Sequence, residues 1–206
     1  MFNNNKVVAV VMGGPSAERE VSLNTGAAIA NALREYGYTN VVEIDLDPRN
    51  FGKQLAESKA EVVFNAVHGL YGEDGRLQTL LEIREMPYTG SGMIASVSCM
   101  DKVIAKRMLR DAGISTPACL IINKKESGIK EKIMQRFSLP VVIKPASQGS
   151  SIGVEIVKEE NQLDEALANA FKYSRDILVE EFIGGKELTV SMMQKDGEVV
   201  ALPVIH

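Results

Sequence analysis

Lys144 closes the β-branched run PVVIK, and the chain then passes through PASQGSS before turning into GVEIV. Gly149 and the serines Ser147, Ser150 and Ser151 remove steric bulk. Successive backbone N–H groups can therefore face an anion while Lys144 supplies charge. A flexible hairpin tip with an exposed lysine satisfies the same residues, and the local pattern leaves both readings open. The loop is not a Walker loop, which needs GxxxxGK[ST] ahead of a helix. GGPSAE likewise lacks the GxGxxG spacing of a dinucleotide fold.

A second group of candidates lies in ILVEEFIGGKELTV. Carboxylates within an apolar strand are unfavourable to bury unless paired. Glu180 and Glu187 flank the Gly184-Gly185 turn, so both can face one cleft and accept from an amino group or ribose hydroxyls. An amphipathic hairpin with solvated glutamates is the alternative. Glu18 follows the first apolar run, where open α/β sheets bind ligands, and can pair with an ammonium or compensate a helix dipole. His68 opens the glycine-rich HGLYGEDG, and Lys102 stands just inside a helical pattern, as a phosphate ligand or a plain surface lysine.

These residues need elements to hold them. Residues 7–12 form an unbroken apolar run, as in a parallel strand buried on both faces. Residues 18–36 place Val21, Ala28, Ile29 and Leu33 on one helical face. Strands are expected at 41–46 and 61–67 and helices at 75–84 and 101–112, a βαβ alternation that predicts a parallel sheet with helices on both faces. The pattern then changes to α+β, with a boundary near residue 100. A short strand follows Pro117, with a helix near 125–137 and strands at 139–144 and 153–157. A helix at 163–173 and strands at 177–183, 188–194 and 199–205 complete it, the last two joined by a turn at Gly197. The last strand reaches His206 with no helix to cover it, so the chain reads as truncated.

Composition excludes several classes. A net charge of −4 without a Lys/Arg stripe argues against nucleic-acid binding. The longest apolar runs are of strand length, which predicts no membrane span and no signal peptide. Cys99 and Cys119 form no CxxC pair and suggest buried thiols in a reducing cytoplasm. With only His68 and His206 as histidines, a zinc site is not expected.

Taken in order, GGPSAEREVSLNTG, HGLYGEDGRLQ, PYTGSGMIASVSCMDK, GISTP, VVIKPASQGSSIGV and VEEFIGGKELTV resemble the D-alanine–D-alanine ligases, a family of ATP-grasp enzymes. The resemblance implies a pre-ATP-grasp substrate domain (1–100), an ATP-grasp small subdomain (101–183) and the start of an incomplete C-terminal subdomain (184–206). Glu18 would hold the ammonium of the first D-alanine, with His68 lining that pocket and Ser150 joining Glu18 as a catalytic residue. Lys102 and Lys144 would contact ATP phosphates beneath a loop carrying Ser150 and Ser151. Glu180 would bond the adenine amino group, the backbone of Glu181 and Ile183 the adenine edge, and Glu187 the ribose.

The implied reaction joins two D-alanines through an acyl phosphate for peptidoglycan synthesis, using ATP and Mg2+ (or Mn2+), in a cytoplasmic homodimer built through the N-terminal domain. In the family, the metal carboxylates, an arginine and the lid come later in the chain, so no metal ligand is expected before His206. The polypeptide alone is expected to be inactive. The alternatives are a D-alanine–D-lactate ligase and an inactive nucleotide-binding fragment.

Overall fold

The computed structural model describes residues 4–206 and contains two main sheets, the first parallel and the second antiparallel. In the first, β1 (Val8–Met12) lies between β2 (Val41–Asp45) and β3 (Val62–Asn65), with Val8 opposite both Val41 and Val62. All five residues of β1 are buried, as its unbroken apolar run requires. Ala9 and Val11 face α2 (Phe51–Ser58) and α3 (Arg76–Glu82) through Phe51, Leu55, Leu77 and Leu81. Val10 and Met12 face α1 (Arg19–Glu35) on the other side.

The buried face of α1 differs from the one its apolar residues suggest. Ser22, Gly26 and Ala30 are buried and Ile29 and Leu33 partly so, whereas Val21 is 57% exposed and Ala28 is exposed. Close approach decides the rotation. A Cβ on Gly26 would lie 2.5 Å from the Met12 Cβ, so the helix rests on the strand through its smallest residues. Ser22 fastens the same contact, accepting from the Gly13 N–H at 2.8 Å and donating to the Ala66 carbonyl at 2.7 Å.

Two helices were not expected from the sequence: α2, with only Phe51 and Leu55 buried, and α4 (Met93–Met100), with only Ser96 buried. Neither carries enough inward apolar residues to set a period. The segment before α4 runs along β3, where Val63 bridges Tyr88 in parallel and the Asn65 N–H donates to the Thr89 hydroxyl at 3.1 Å.

After α5 (Lys102–Asp111) come β4 (Cys119–Asn123), α6 (Ile129–Arg136), β5 (Val141–Pro145), β6 (Glu155–Val157), α7 (Leu163–Tyr173) and β7 (Asp176–Glu181). The sheet order is β4–β7–β5–β6, antiparallel throughout. Ile143, Ile177 and Val179 point into a core with Ile133 of α6 and Leu163, Ala166 and Ala170 of α7. Alternation sends Val142, Lys144, Leu178 and Glu180 to the opposite face. Lys144 lies opposite Leu178 and Val142 opposite Glu180, so Lys144 and Glu180 are diagonal neighbours.

β7 ends at Glu181, leaving Ile183 outside it. The final hairpin, β8 (Met192–Lys195) with β9 (Glu198–Ala201), is exposed throughout and shorter than expected, with one outlying bridge from Thr189 to Ile205. The thiols are not buried as expected. Cys99 is exposed because α4 buries little, and Cys119 is half-buried because it begins an edge strand.

Candidate active site

Strand order β2–β1–β3 makes the chain leave β1 to one side and return on the other. That opens a crevice beyond the carboxyl ends of β1 and β3. Glu18 stands there as the N-cap of α1, but its side chain caps no helix amide. Its carboxylate instead accepts from the Ser150 hydroxyl, 132 residues along the chain. It also lies against the end of β3, where a Cβ built on Gly69 would meet Glu18 Oε2 at 2.6 Å.

His68 lies three residues beyond the end of β3. Its Nε2 is 3.1 Å from the Thr25 hydroxyl, and its Nδ1 lies at a long 3.5 Å from Glu73 Oε1. Glu73 Oε2 accepts from the Gly69 N–H at 3.1 Å, which closes the loop on itself. The Gly72 carbonyl anchors that loop by accepting from Asn65 Nδ2 and Gln78 Nε2 at 2.8 and 2.7 Å. No side chain fits at position 72, because a Cβ would sit 1.9 Å from the Val67 carbonyl oxygen.

The second half of the site lies on the polar face of the antiparallel sheet. The Asp101 carboxylate caps α5, accepting from the Val103 and Ile104 N–H groups at 2.9 and 3.1 Å, and so fixes the lysines that follow. Lys102 Nζ donates to the Gln148 carbonyl, bringing α5 against the serine loop. Burial pushes the Lys102 ammonium below its ordinary pKa, and the charge of Lys144 adds to that; Asp101 and Glu180 act in the opposite sense. Glu180 is 4% exposed and shared between two lysines. Its Oε1 accepts from Lys106 Nζ at 2.6 Å and its Oε2 from Lys144 Nζ at 2.5 Å. Three ammonium groups around one carboxylate leave an excess of positive charge, which suits an anion.

A cleft of about 570 Å³ runs between these halves, lined by Lys102, Lys144, Ser150, Ser151, Glu73 and Cys99. A neighbouring cleft of about 500 Å³ holds His68, Gln78 and Thr89 and shares Glu73 and Cys99. Ser150 and Ser151 are the central residues of a turn closed by the Ile152 N–H on the Gly149 carbonyl at 3.1 Å, and both have positive φ, +47° and +58°. Serine rarely adopts that region, and such strain gathers at ligand clamps.

The structure therefore brings together Glu18, His68, Lys102, Lys144, Ser150, Ser151 and Glu180. It does not place Glu187 with Glu180 in one cleft: Glu180 is buried between lysines, while Glu187 and Ile183 are exposed on the segment after β7. The Glu181 carboxylate accepts from the Ala118 N–H at 2.7 Å, and the Glu181 N–H donates to the Ala118 carbonyl at 3.2 Å. Two residues of the cluster were missed in the sequence. Lys106 lies one helical turn beyond Lys102, a spacing that puts both on one face. Glu73 follows His68 by five positions, with no period to mark it. Among the described residues, no group of three or more His, Cys, Asp or Glu is placed to hold a metal ion.

Two family models match the chain: D-ala D-ala ligase C-terminus over residues 108–206 and D-ala D-ala ligase N-terminus over 47–91. The D-alanine–D-alanine ligase of Carboxydothermus hydrogenoformans is 45% identical over 203 residues, covering 97% of this chain and 64% of that protein. The chain belongs to the D-alanine–D-alanine ligase family. It spans a little under two thirds of the length of that curated relative. Among solved members of the family, the Bacillus anthracis D-alanine–D-alanine ligase complexed with ATP matches at TM-score 0.81 and 34% identity, over 97% of this chain and 66% of that one. The VanG D-Ala:D-Ser ligase of Enterococcus faecalis matches at TM-score 0.78 and 28% identity, over 97% and 69%.

Proposed function

We propose that this chain supplies the first-substrate and nucleotide sites of an ATP-dependent D-alanine–D-alanine ligase acting in cell-wall synthesis. One observation carries the reading. The Ser150 hydroxyl bonds Glu18, so the serine loop beside Lys102 and Lys144 closes directly onto the carboxylate at the end of β1. A phosphate donor and an amino acid bound at these two places would meet.

In this reading Glu18 pairs with the ammonium of the first D-alanine and His68 lines its pocket. Lys102 and Lys144 hold the ATP phosphates, and the turn at Ser150 and Ser151 covers them. Glu180 accepts from the adenine amino group, the backbone of Glu181 and Ile183 follows the adenine edge, and Glu187, exposed beyond the Gly184-Gly185 turn, takes the ribose. A carboxylate oxygen of the first D-alanine attacks the γ-phosphorus, and ADP leaves with the electrons of the broken P–O bond. The amine of the second D-alanine then attacks the acyl carbon, expels phosphate and gives up a proton. Lysines and fixed N–H groups stabilise the charge on the transferring group, and exclusion of water protects the acyl phosphate.

Among the described residues no three His, Cys, Asp or Glu side chains gather to hold a metal ion, and the resemblance places the magnesium ligands after residue 206. A polypeptide limited to these 206 residues is therefore expected to bind nucleotide without making dipeptide. The same reading divides the chain at about residues 100 and 183, which the partition into separate sheets supports. A cytoplasmic homodimer through the first domain belongs to it as well. Members of the fold differ in the second substrate, as VanG's D-serine illustrates.

The reading is tested at Lys144. In Lys144→Ala, ATP binding measured by calorimetry should weaken by the equivalent of about 1.5–3 kcal/mol, a lost charge-assisted contact, with D-alanine affinity little changed. Unchanged nucleotide affinity would return Lys144 to a purely structural partner of Glu180.

A further inference from the structure

Lys106 has no place in the chemistry above, yet it is among the few buried charged residues, at 8% exposure. Its ammonium makes two bonds, to Glu180 Oε1 at 2.6 Å and to the Pro117 carbonyl at 2.7 Å. We propose that Lys106 is a positioning residue that makes Glu180 selective for a 6-aminopurine nucleotide. The proposal rests on the reading of the lysine cluster as an ATP site.

Glu180 is divided between two lysines. Each carboxylate oxygen has one lysine, and each retains a further lone pair for a donor. Were Lys106 absent, Glu180 would have Lys144 as its one directly bonded cation and both oxygens free to turn toward it. Lys144 would then be drawn from the phosphates and Glu180 from the base. With Lys106 in place, Oε1 is held from the α5 side and the carboxylate plane is set by two opposed bonds.

Lys106 also fixes the entrance of β4. It binds the carbonyl of Pro117, and the next residue, Ala118, is bound at its N–H by the Glu181 carboxylate and at its carbonyl by the Glu181 N–H. The end of β7 is thus pinned at two consecutive residues, Glu180 through Lys106 and Glu181 directly on Ala118. A rigid acceptor there favours a base with an exocyclic amino group at C6. A base with a carbonyl at C6 would set oxygen against carboxylate.

A merely structural Lys106 would neutralise Glu180 without affecting base choice, so the ratio of ATP to GTP affinity separates the two. The protein and its Lys106→Met and Lys106→Arg variants are titrated calorimetrically with ATP and with GTP, and folding is checked by circular dichroism. The unaltered protein should prefer ATP. Lys106→Met should weaken ATP binding about tenfold or more and reduce the ATP/GTP ratio by about tenfold. Lys106→Arg, which keeps the charge and can donate to both acceptors, should largely restore the ratio. If Lys106→Met does not fold, Lys106→Gln, which keeps a donor for Pro117 but no charge, is titrated in its place. A variant that folds and keeps the preference overturns the role of Lys106 and leaves the ATP site standing. An unaltered protein that binds neither nucleotide overturns both.

Discussion

β1 and β7 are both central strands, and they handle charge in opposite ways. β1 is apolar along its whole length; the charged residues paired with it on β2, Glu43 and Asp45, are exposed, and Glu18 and Arg19, partly exposed, lie beyond its end. β7 carries Glu180 within the ladder, neutralised by one lysine from the adjacent strand and another from α5. In the first region, fold and candidate chemistry are separable. In the second they are the same atoms, because the sheet cannot keep a buried carboxylate without the cations that also make the anion site.

The largest effect should come from Glu180→Leu, which leaves two lysines facing each other without a counter-charge. Removing one member of a buried ionic cluster typically costs about 3–5 kcal/mol, read here as a lower denaturant midpoint. A loss under about 1 kcal/mol would mean that water enters the cluster, and the contrast would collapse. Gly26→Ala should be next. The added methyl must push α1 off Met12, and overpacking of this kind costs about 1–3 kcal/mol. This is the parallel region's own weak point, and it is steric rather than ionic.

Glu18→Gln should leave stability within about 0.5 kcal/mol, as for a half-buried position outside the core whose replacement can still accept from Ser150. The KM for the first D-alanine should rise and ATP affinity stay level. If stability falls while kinetics hold, Glu18 serves the helix dipole instead. An effect confined to alkaline pH is expected at Tyr88, whose phenol is pushed up to about 12 by burial and by its bond to Glu82. The folded state then favours the neutral phenol. Its contribution is fully present below the ordinary tyrosine pKa near 10 and is lost as pH rises from there through about 12. Tyr88→Phe should flatten that part of the stability curve relative to the unaltered protein.

The sequence was most legible where one force dominates. The apolar run of β1, the strands carrying Lys144 and Glu180 and the small-residue loop after Lys144 all lie within a few residues of where they were expected. α1 was found but rotated, since hydrophobicity ranks Val21 above Gly26 whereas the contact with Met12 is set by size. Lys106 and Glu73 were missed because their meaning depends on partners 74 and 5 residues away, Glu180 and His68. Glu187 was joined to Glu180 on the strength of a glycine turn, but spacing along a chain does not fix which side of a turn a carboxylate faces.

On the proposed assignment of Glu18, its bond to Ser150 would link the two clefts thermodynamically. A ligand ammonium there would share the carboxylate with the hydroxyl and so change the freedom of the loop beside Lys102 and Lys144. Linkage is reciprocal: whatever factor an amino acid imposes on nucleotide affinity, the nucleotide must impose on the amino acid. Ser150→Ala, which removes the hydroxyl from that carboxylate, should reduce this shared factor toward one while leaving both ligands able to bind singly.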